Sequence, residues 1–412
     1  MNMGNDTLDE ALLRLHRTGP EFDGWLSNHG PMATEALVRN GHADDVPRWV
    51  DGYLDRLEEV PRGIAPIAAD QWRESLGDAR RTGDWLVFFD RETRSAPWRE
   101  VLARWWPRLL PGIAAGATHG VIRVGHAVRV LLEEETPARV AELGQGLAYW
   151  AARWQPIAPA GRGPYPSADP RHALDAVPRV PDQRAGVRDR LAQLADLSAW
   201  PQAAGAVPAE NLPAADQLRA IVAAAARRHL DYGYGSPVML VHATTAPAAV
   251  LRALPALPPA LAAPSVAAAW AATAAITAAY SPATPDPAHS PDAGPRQAPT
   301  RSGSSNVGPG QAPIKPGSPG PGLRQAPTKP GSPGPWEARN APGRPAGPSS
   351  SSDPDRDSAP ALDPGEVFER AVFSGDEHAI KFADAAVESW RLNGDPVLLR
   401  AAVHATDLIG PV

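Results

Sequence analysis

Between residues 281 and 360 the chain carries 20 of its 48 prolines and only four large apolar residues, Val307, Ile314, Leu323 and Trp336. A stretch this poor in apolar surface cannot offset the entropy of ordering itself, so it is expected to be a disordered insert. Inside it QAPIKPGSPGPGLR (311–324) runs directly into QAPTKPGSPGPWEA (325–338), a 14-residue period whose composition reads as polyproline-like low complexity, not as a solenoid. Whatever folds must come from residues 1–280 and 361–412. The second piece is too small to build a core alone, so it is expected to dock on the first and complete the same domain.

Both pieces read as helical. LDEALLRLHRT, PMATEALVRNG, WREVLARWWPRLLPG, THGVIRVGHAVRVLLEEE, ARVAELGQGLAYWAARWQP and DQLRAIVAAAARRHLDYG place apolar residues at helical spacing, with Gly or Pro at several ends. SVAAAWAATAAITAAY reads as a buried helix. The C-terminal piece reads as three short helices, with turns at Ser374-Gly375 and Asn393-Gly394-Asp395-Pro396. Pro156 to Pro213 is rich in Pro, Ala and Arg; it reads as an irregular excursion over the surface, with one helix at DQRAGVRDRLAQLADL. Strand-like alternation is scarce. The expected fold is all-α: a single large helical domain with one long Pro/Gly/Ser-rich insert.

Composition narrows the function classes. A net charge of −6 without long basic runs argues against nucleic-acid binding. With no Cys there are no disulfides, thiolate metal sites or cysteine nucleophiles. The start, MNMGNDTLDE, lacks the basic and apolar pattern of a secretory signal, so a cytoplasmic location is expected. Val238 to Tyr280, the least charged region, contains Pro247, Pro255, Pro258, Pro259 and Pro264, and no membrane span is expected there. The absence of a G-x-G-x-x-G strand-turn-helix pattern argues against an integral dinucleotide site.

The chemistry-bearing residues are histidines and one lysine. Of the 11 His, His16, His42, His172, His229 and His289 lie among polar neighbours and read as solvated. His29 lies on a loop directly before a helix that begins near Pro31, and His242 lies on an apolar run. His119 and His126 share a helix face but are separated by about 10.5 Å of rise, too far for both rings to reach one ion without strong bending. His119, at the start of its helix, is the favoured ligand; His126 then faces a substrate or supports the ligands from behind. Arg123 shares the face of His119 and could hold an anionic or phenolate group. Only three Lys occur, and Lys381 alone lies outside the low-complexity tract. It stands one turn from His378. Buried among apolar helices, a lysine amine loses its proton, becomes nucleophilic and can add carbon dioxide to give an anionic carbamate, which arginine cannot do. The competing reading pairs Lys381 with Asp384 or Glu377 as an ordinary ion pair.

GPEFDGWLSNHGPMATEAL (19–37), WWPRLLPGIAAGATHGVIRVGHAVR (105–129), GLAYWAARWQP (146–156), LVHATTAPAAV (240–250) and DEHAIKFADA (376–385) together resemble the questin oxidase-like family. The resemblance spans most of the chain outside 157–215 and 281–360. It implies a mostly α-helical oxidoreductase that cleaves anthraquinone-type polyketide rings, in outcome a Baeyer-Villiger oxidation without a flavin fold. It further implies a non-haem Fe(II) site held by histidines and, in some members, an N-carboxylated lysine. Carried onto this chain, the ligands are His29, His119, His242, His378 and Lys381, with His126 as the rival to any one of them.

The expected function is a metal-dependent oxygenase whose partners are dioxygen and a small aromatic polyketide, with any NADPH acting as an external reductant. Trp105, Trp106, Tyr149, Trp150 and Trp154 are candidates for a flat aromatic pocket, although at helical spacing they also suit a core. Two competitors come from other classes. A metal-dependent hydrolase also uses a carbamylated lysine with histidines, and a non-catalytic helical scaffold would recruit partners through the Pro-rich tract.

Overall fold

The computed structural model describes residues 3–24, 26–161, 169–207, 211–286 and 362–412. The proline-rich tract from residue 287 onward, with His289 and the disorder expected there, lies outside the described residues. Among the described residues the fold is all-α, with one two-residue hairpin pairing Glu21–Phe22 with Leu26–Ser27. Thirteen helices among the described residues have nine residues or more: α1 Met3–Leu15, α2 Gly30–Arg39, α3 Val46–Leu54, α4 Thr82–Ser95, α5 Trp98–Leu109, α6 His119–Glu133, α7 Pro137–Arg153, α8 Ala214–Tyr232, α9 His242–Ala253, α10 Ala262–Tyr280, α11 Pro364–Ser374, α12 Glu377–Asn393 and α13 Pro396–Ile409.

Local chemistry explains many of the boundaries. Asp363, Asp376 and Asp395 each accept a hydrogen bond from a first-turn N–H of α11, α12 or α13, and Thr136 does the same for α7. Gly375 and Gly394 close α11 and α12 in the left-handed conformation, which only glycine adopts without cost. The turns expected in the C-terminal piece are therefore where the capping residues put them.

Four helices form a closed ring, with α2 packed on α6, α6 on α9, α9 on α12 and α12 on α2. Their spacing is close where side chains are small. A Cβ added at Gly125 of α6 would come within 2.6 Å of the Ala249 Cβ on α9. Around the ring, α8 packs on α9 and α13, α7 on α4 and α6, and α10 on α9. The Ala-rich α10 is buried on most of its sides, including Trp270, Ala274 and Ile276.

Three expectations need correction. The stretch from Pro156 to Pro213 is not a surface excursion. Its described parts form short helices at Pro170–Asp175, Val187–Ala192 and Trp200–Gly205, and they bury Leu174, Val180, Leu191, Leu194 and Trp200 in the main core. The prolines of Val238 to Tyr280 break helices only in part, because Pro247 lies inside α9. The Ala243 carbonyl, which a residue-247 N–H would normally satisfy, accepts the Thr273 hydroxyl at 2.9 Å instead. Pro237–Ala256 and Pro259–Tyr280 are consequently apolar and long enough to cross a membrane, and here 72% and 56% of their apolar windows are buried within the fold. Finally, His229 is not solvated: it is buried against Phe382, and burial pushes its pKa down to about 4. Of the other residues read as solvated, His16 and His42 face the carboxylates of Glu142 and Asp45.

Candidate metal centre

Each of four helices delivers a histidine from its first turn. His29 immediately precedes α2, His119 opens α6, His242 opens α9, and His378 is the second residue of α12, with Lys381 one turn further on. The fold brings all five together. His119 Nε2 stands 2.7 Å from His29 Nε2 and 2.9 Å from His242 Nε2, and the His378 ring centroid is 4.5 Å from that of His29 and 5.5 Å from that of His242.

The contact between His119 and His242 is not an ordinary hydrogen bond. His119 Nδ1 faces the Gly116 carbonyl at 2.6 Å and His242 Nδ1 faces the Met239 carbonyl at 3.1 Å. A carbonyl accepts only, so both Nδ1 atoms carry the proton and both Nε2 atoms of the neutral rings present lone pairs. His29 Nδ1 is 3.5 Å from the Tyr53 hydroxyl and 3.6 Å from Glu377 Oε1, and His378 Nδ1 is 3.5 Å from Asp376 Oδ1. Every ring thus turns Nδ1 outward to an oxygen. Burial, followed by the charges of neighbouring residues including Lys381, holds the pKa of His29 and His119 well below the ordinary value; for His242 the order is burial, His119 and Lys381. The rings are therefore neutral at pH 7, and lone pairs pressed together repel unless a cation lies among them. The spacing suits one. Two ligands about 2.1 Å from an ion are roughly 3.0 Å apart at a right angle and roughly 3.4 Å apart in a tetrahedron.

Lys381 is fully buried, and its Nζ has no hydrogen-bond partner among the described residues. Neither partner of the competing ion-pair reading bonds to it: Asp384 accepts from Arg129 and Arg252, and Glu377 from Arg56. Desolvation, only partly opposed by the charges of Glu377 and Asp376, pushes the amine down to about 7. The positive ends of four helix dipoles also meet here, which favours an anion in the centre and works against a bare cation. Four neutral imidazoles offset none of that charge.

The backbone beside His119 is strained. Gly116, Ala117 and Thr118 have φ of 55°, 53° and 65°, a left-handed run that costs a β-branched residue such as Thr118 most. It aims the His119 ring and places the Gly116 carbonyl against Nδ1. Strain held this way marks functional positions.

The remaining candidates divide. Arg123, one turn beyond His119, is buried and donates from Nε and Nη2 to Glu142 at 2.5 and 2.8 Å, while Nη1 has no hydrogen-bond partner among the described residues. His126 does not join the four rings. Its Nδ1 faces Glu35 Oε2 at 2.6 Å and its Nε2 faces Arg252 Nη1 at 3.0 Å. Glu35, His126 and Asp384 are close enough together to suggest a second ion, but Arg129 and Arg252 already occupy their oxygens. Of the aromatic candidates, Trp105 packs with Trp72, Trp85, Phe88 and Phe89 in the core, and the indole N–H groups of Trp106, Trp150 and Trp154 are bonded to Ser265, Gly112 and Leu109. Tyr149, hydrogen-bonded to Ser27 at 2.5 Å, is the one that stands near Gly116. Sequence reasoning missed Glu35, Arg129, Arg252 and Tyr53. The available signal was the presence of charges on otherwise apolar helix faces, as in GVIRVGHAVRVLL.

The family model described as questin oxidase-like matches residues 33–386, and the chain belongs to that family. The match begins four residues after His29 and includes the other three histidines and Lys381. No curated protein matches the chain.

Proposed function

We propose that this member of the questin oxidase-like family is a metal-dependent oxygenase that cleaves a ring of an anthraquinone-type polycyclic ketone. The family supports an oxidoreductase acting on such compounds. The observation that carries metal dependence is the pair of facing Nε2 lone pairs on buried His119 and His242, with His29 Nε2 2.7 Å from the first. In this reading His29, His119, His242 and His378 hold one divalent ion, taken to be iron, which when bound supplies a Lewis acid and a redox-active centre for oxygen chemistry.

The chain's own residues prepare that centre. The carbonyls of Gly116 and Met239 fix the tautomers of His119 and His242, so no proton has to leave Nε2 before a ligand bond can form. Lys381 supplies the missing negative charge. Its neutral Nζ attacks carbon dioxide, a C–N bond forms as one C=O electron pair moves to oxygen, and the nitrogen releases a proton to solvent, leaving a carbamate. Arg123 keeps Nη1 for a phenolate or keto oxygen of the substrate. The packing that buries these groups excludes water from the reaction.

The test is anaerobic purification and metal analysis, followed by oxygen uptake with a panel of anthraquinones. One iron per chain and substrate-dependent uptake that is lost in His119→Ala are expected. Uptake that persists in His119→Ala would contradict the reading. Lys381→Met should remove the carbon dioxide adduct from the intact-mass spectrum and abolish uptake.

A further inference from the structure

Beyond the histidines the same four helices meet a second time. Glu35 on α2, His126 and Arg129 on α6, Arg252 on α9, and Asp384 on α12 are buried and, with the half-buried Glu388 of α12, form one continuous set of hydrogen bonds. Asp384 Oδ2 accepts from Arg129 Nη2 at 2.9 Å and from Arg252 Nη2 at 2.6 Å, while its Oδ1 accepts from Asn40, the residue that ends α2, at 3.1 Å. Glu35 Oε1 accepts from Arg129 Nε at 2.9 Å, and Glu35 Oε2 accepts from His126 Nδ1 at 2.6 Å. Glu388 Oε2 accepts from Arg252 Nε at 2.8 Å and from Arg129 Nη1 at 3.2 Å.

The tautomer of His126 follows from its neighbours. A guanidinium only donates, so Nε2, at 3.0 Å from Arg252 Nη1, is the acceptor and Nδ1 carries the proton given to Glu35. His126 is therefore neutral, which agrees with a pKa lowered by burial and then by Arg252. Three carboxylates against two guanidiniums leave one net negative charge inside the ring.

The cluster crosses every interface of the ring. Glu35 joins α2 to α6, His126 joins α6 to α9, Arg252 joins α9 to α12, and Asn40 with Asp384 joins α12 back to α2. On each helix its member lies a short distance beyond the ligand: from 29 to 35, 119 to 126, 242 to 252 and 378 to 384, or roughly 9 to 15 Å of helix.

We infer that this ionic cluster is the positioning device of the histidine centre: it locks the spacing and rotation of the four helices so that their first turns present Nε2 atoms at one point before any ion arrives. Glu35, His126, Arg129, Arg252, Asp384 and Glu388 are positioning residues and touch no substrate. The inference rests on the metal reading above. A cluster that served stability alone would not need to join the four ligand-bearing helices and only those.

The test compares metal-free wild type with Asp384→Asn, Arg252→Ala, Arg252→Lys and a control, Arg139→Ala. Arg139 is a fully buried arginine bonded to Asp9 of α1 and to the Val130 carbonyl, on no ligand helix of its own. Titration with Co(II), followed by its visible spectrum, should show Asp384→Asn binding about 10- to 100-fold more weakly with a shifted band. Arg252→Lys should recover part of what Arg252→Ala loses, and Arg139→Ala should lose thermal stability while keeping wild-type affinity and spectrum. Wild-type affinity in Asp384→Asn, or an equal loss in Arg139→Ala, would overturn the proposal. If wild type itself binds no Co(II), the metal reading falls, and the clamp is then decided by histidine 15N spectra of the metal-free protein. Signals of His29, His119, His242 and His378 that shift in Asp384→Asn but not in Arg139→Ala support it, and unchanged signals refute it.

Discussion

Two buried polar clusters occupy the same ring of four helices, and they differ in how completely they satisfy themselves. In the Glu35–Arg129–Asp384 cluster every charge faces an opposite charge or a hydrogen-bond partner within the fold. In the histidine cluster the Nε2 lone pairs of His119 and His242 face each other, and Lys381 Nζ bonds to nothing among the described residues. Pairing within the fold accounts for the burial of the first arrangement, because a buried ion pair holds only when its geometry is good and its remaining polar atoms are bonded. It does not explain the second. A chain that places facing lone pairs and a buried amine in its interior accepts a cost that a ligand later offsets.

The largest expected effect separates the clusters by function. His119→Ala should lower metal affinity beyond the roughly 100-fold that an outer partner costs, as measured by anaerobic titration. Retained affinity would move the centre elsewhere. Next, Arg129→Met should destabilise the fold by about 3–5 kcal/mol in urea unfolding, because the buried Glu35 and Asp384 lose one of the cluster's two cations. A near-neutral result would mean that the cluster is less self-sufficient than its geometry implies. Gly125→Ala should cost about 1–3 kcal/mol, since the new Cβ of α6 would come within 2.6 Å of the Ala249 Cβ on α9. It should also weaken metal binding by parting His119 from His242, and thermal unfolding together with a Co(II) titration would show both losses.

The smallest effect is the pH dependence. Burial, the largest single influence, would raise the pKa of Glu35 and Asp384; Arg129 with His126 at Glu35, and Arg129 with Arg252 and His126 at Asp384, together more than offset it and hold both carboxylates below their ordinary values. A depressed folded pKa means that the unfolded chain binds more protons. The stabilisation is therefore complete above the ordinary carboxylate range near 4.5 and 3.8 and is lost as pH falls below it. His229 adds a second limb of the same sign, together with His29, His119, His126, His242 and His378, whose pKa burial also lowers, and this limb is lost as pH falls below their ordinary 6.5. Each group contributes a slope of at most about 1.4 kcal/mol per pH unit. Unfolding free energies measured from pH 7 to 3 should fall in these two steps. In Glu35→Gln the lower step should shrink.

Part of the convergence of the histidines was legible in the chain because residues near helix starts leave local marks: a Pro two residues after His29, a Gly after His119, and a lone lysine one turn from His378. The all-α fold was legible for the same reason, since amphipathic spacing is local. The ionic cluster was not. Its members are separated by up to several hundred residues, and a buried Arg129 looks like any surface arginine until Asp384 arrives from α12. His126 was legible as a residue that faces a substrate or backs the ligands, but a single helix face cannot show that Glu35 and Arg252 close around it. The stretch from Pro156 to Pro213 was misjudged because its apolar residues follow no period and find the core individually. His229 was misjudged because the arginines beside it in sequence point away from the core that its ring enters.

The most direct test of the central claim is X-ray absorption on wild-type protein loaded with one equivalent of iron under anaerobic conditions. The account predicts a single site whose first shell contains histidine nitrogens at about 2.1 Å, with an added low-atomic-number oxygen that disappears in Lys381→Met. Iron that fails to bind, or that binds with an oxygen-only shell lacking the outer scattering of imidazole rings, would contradict it.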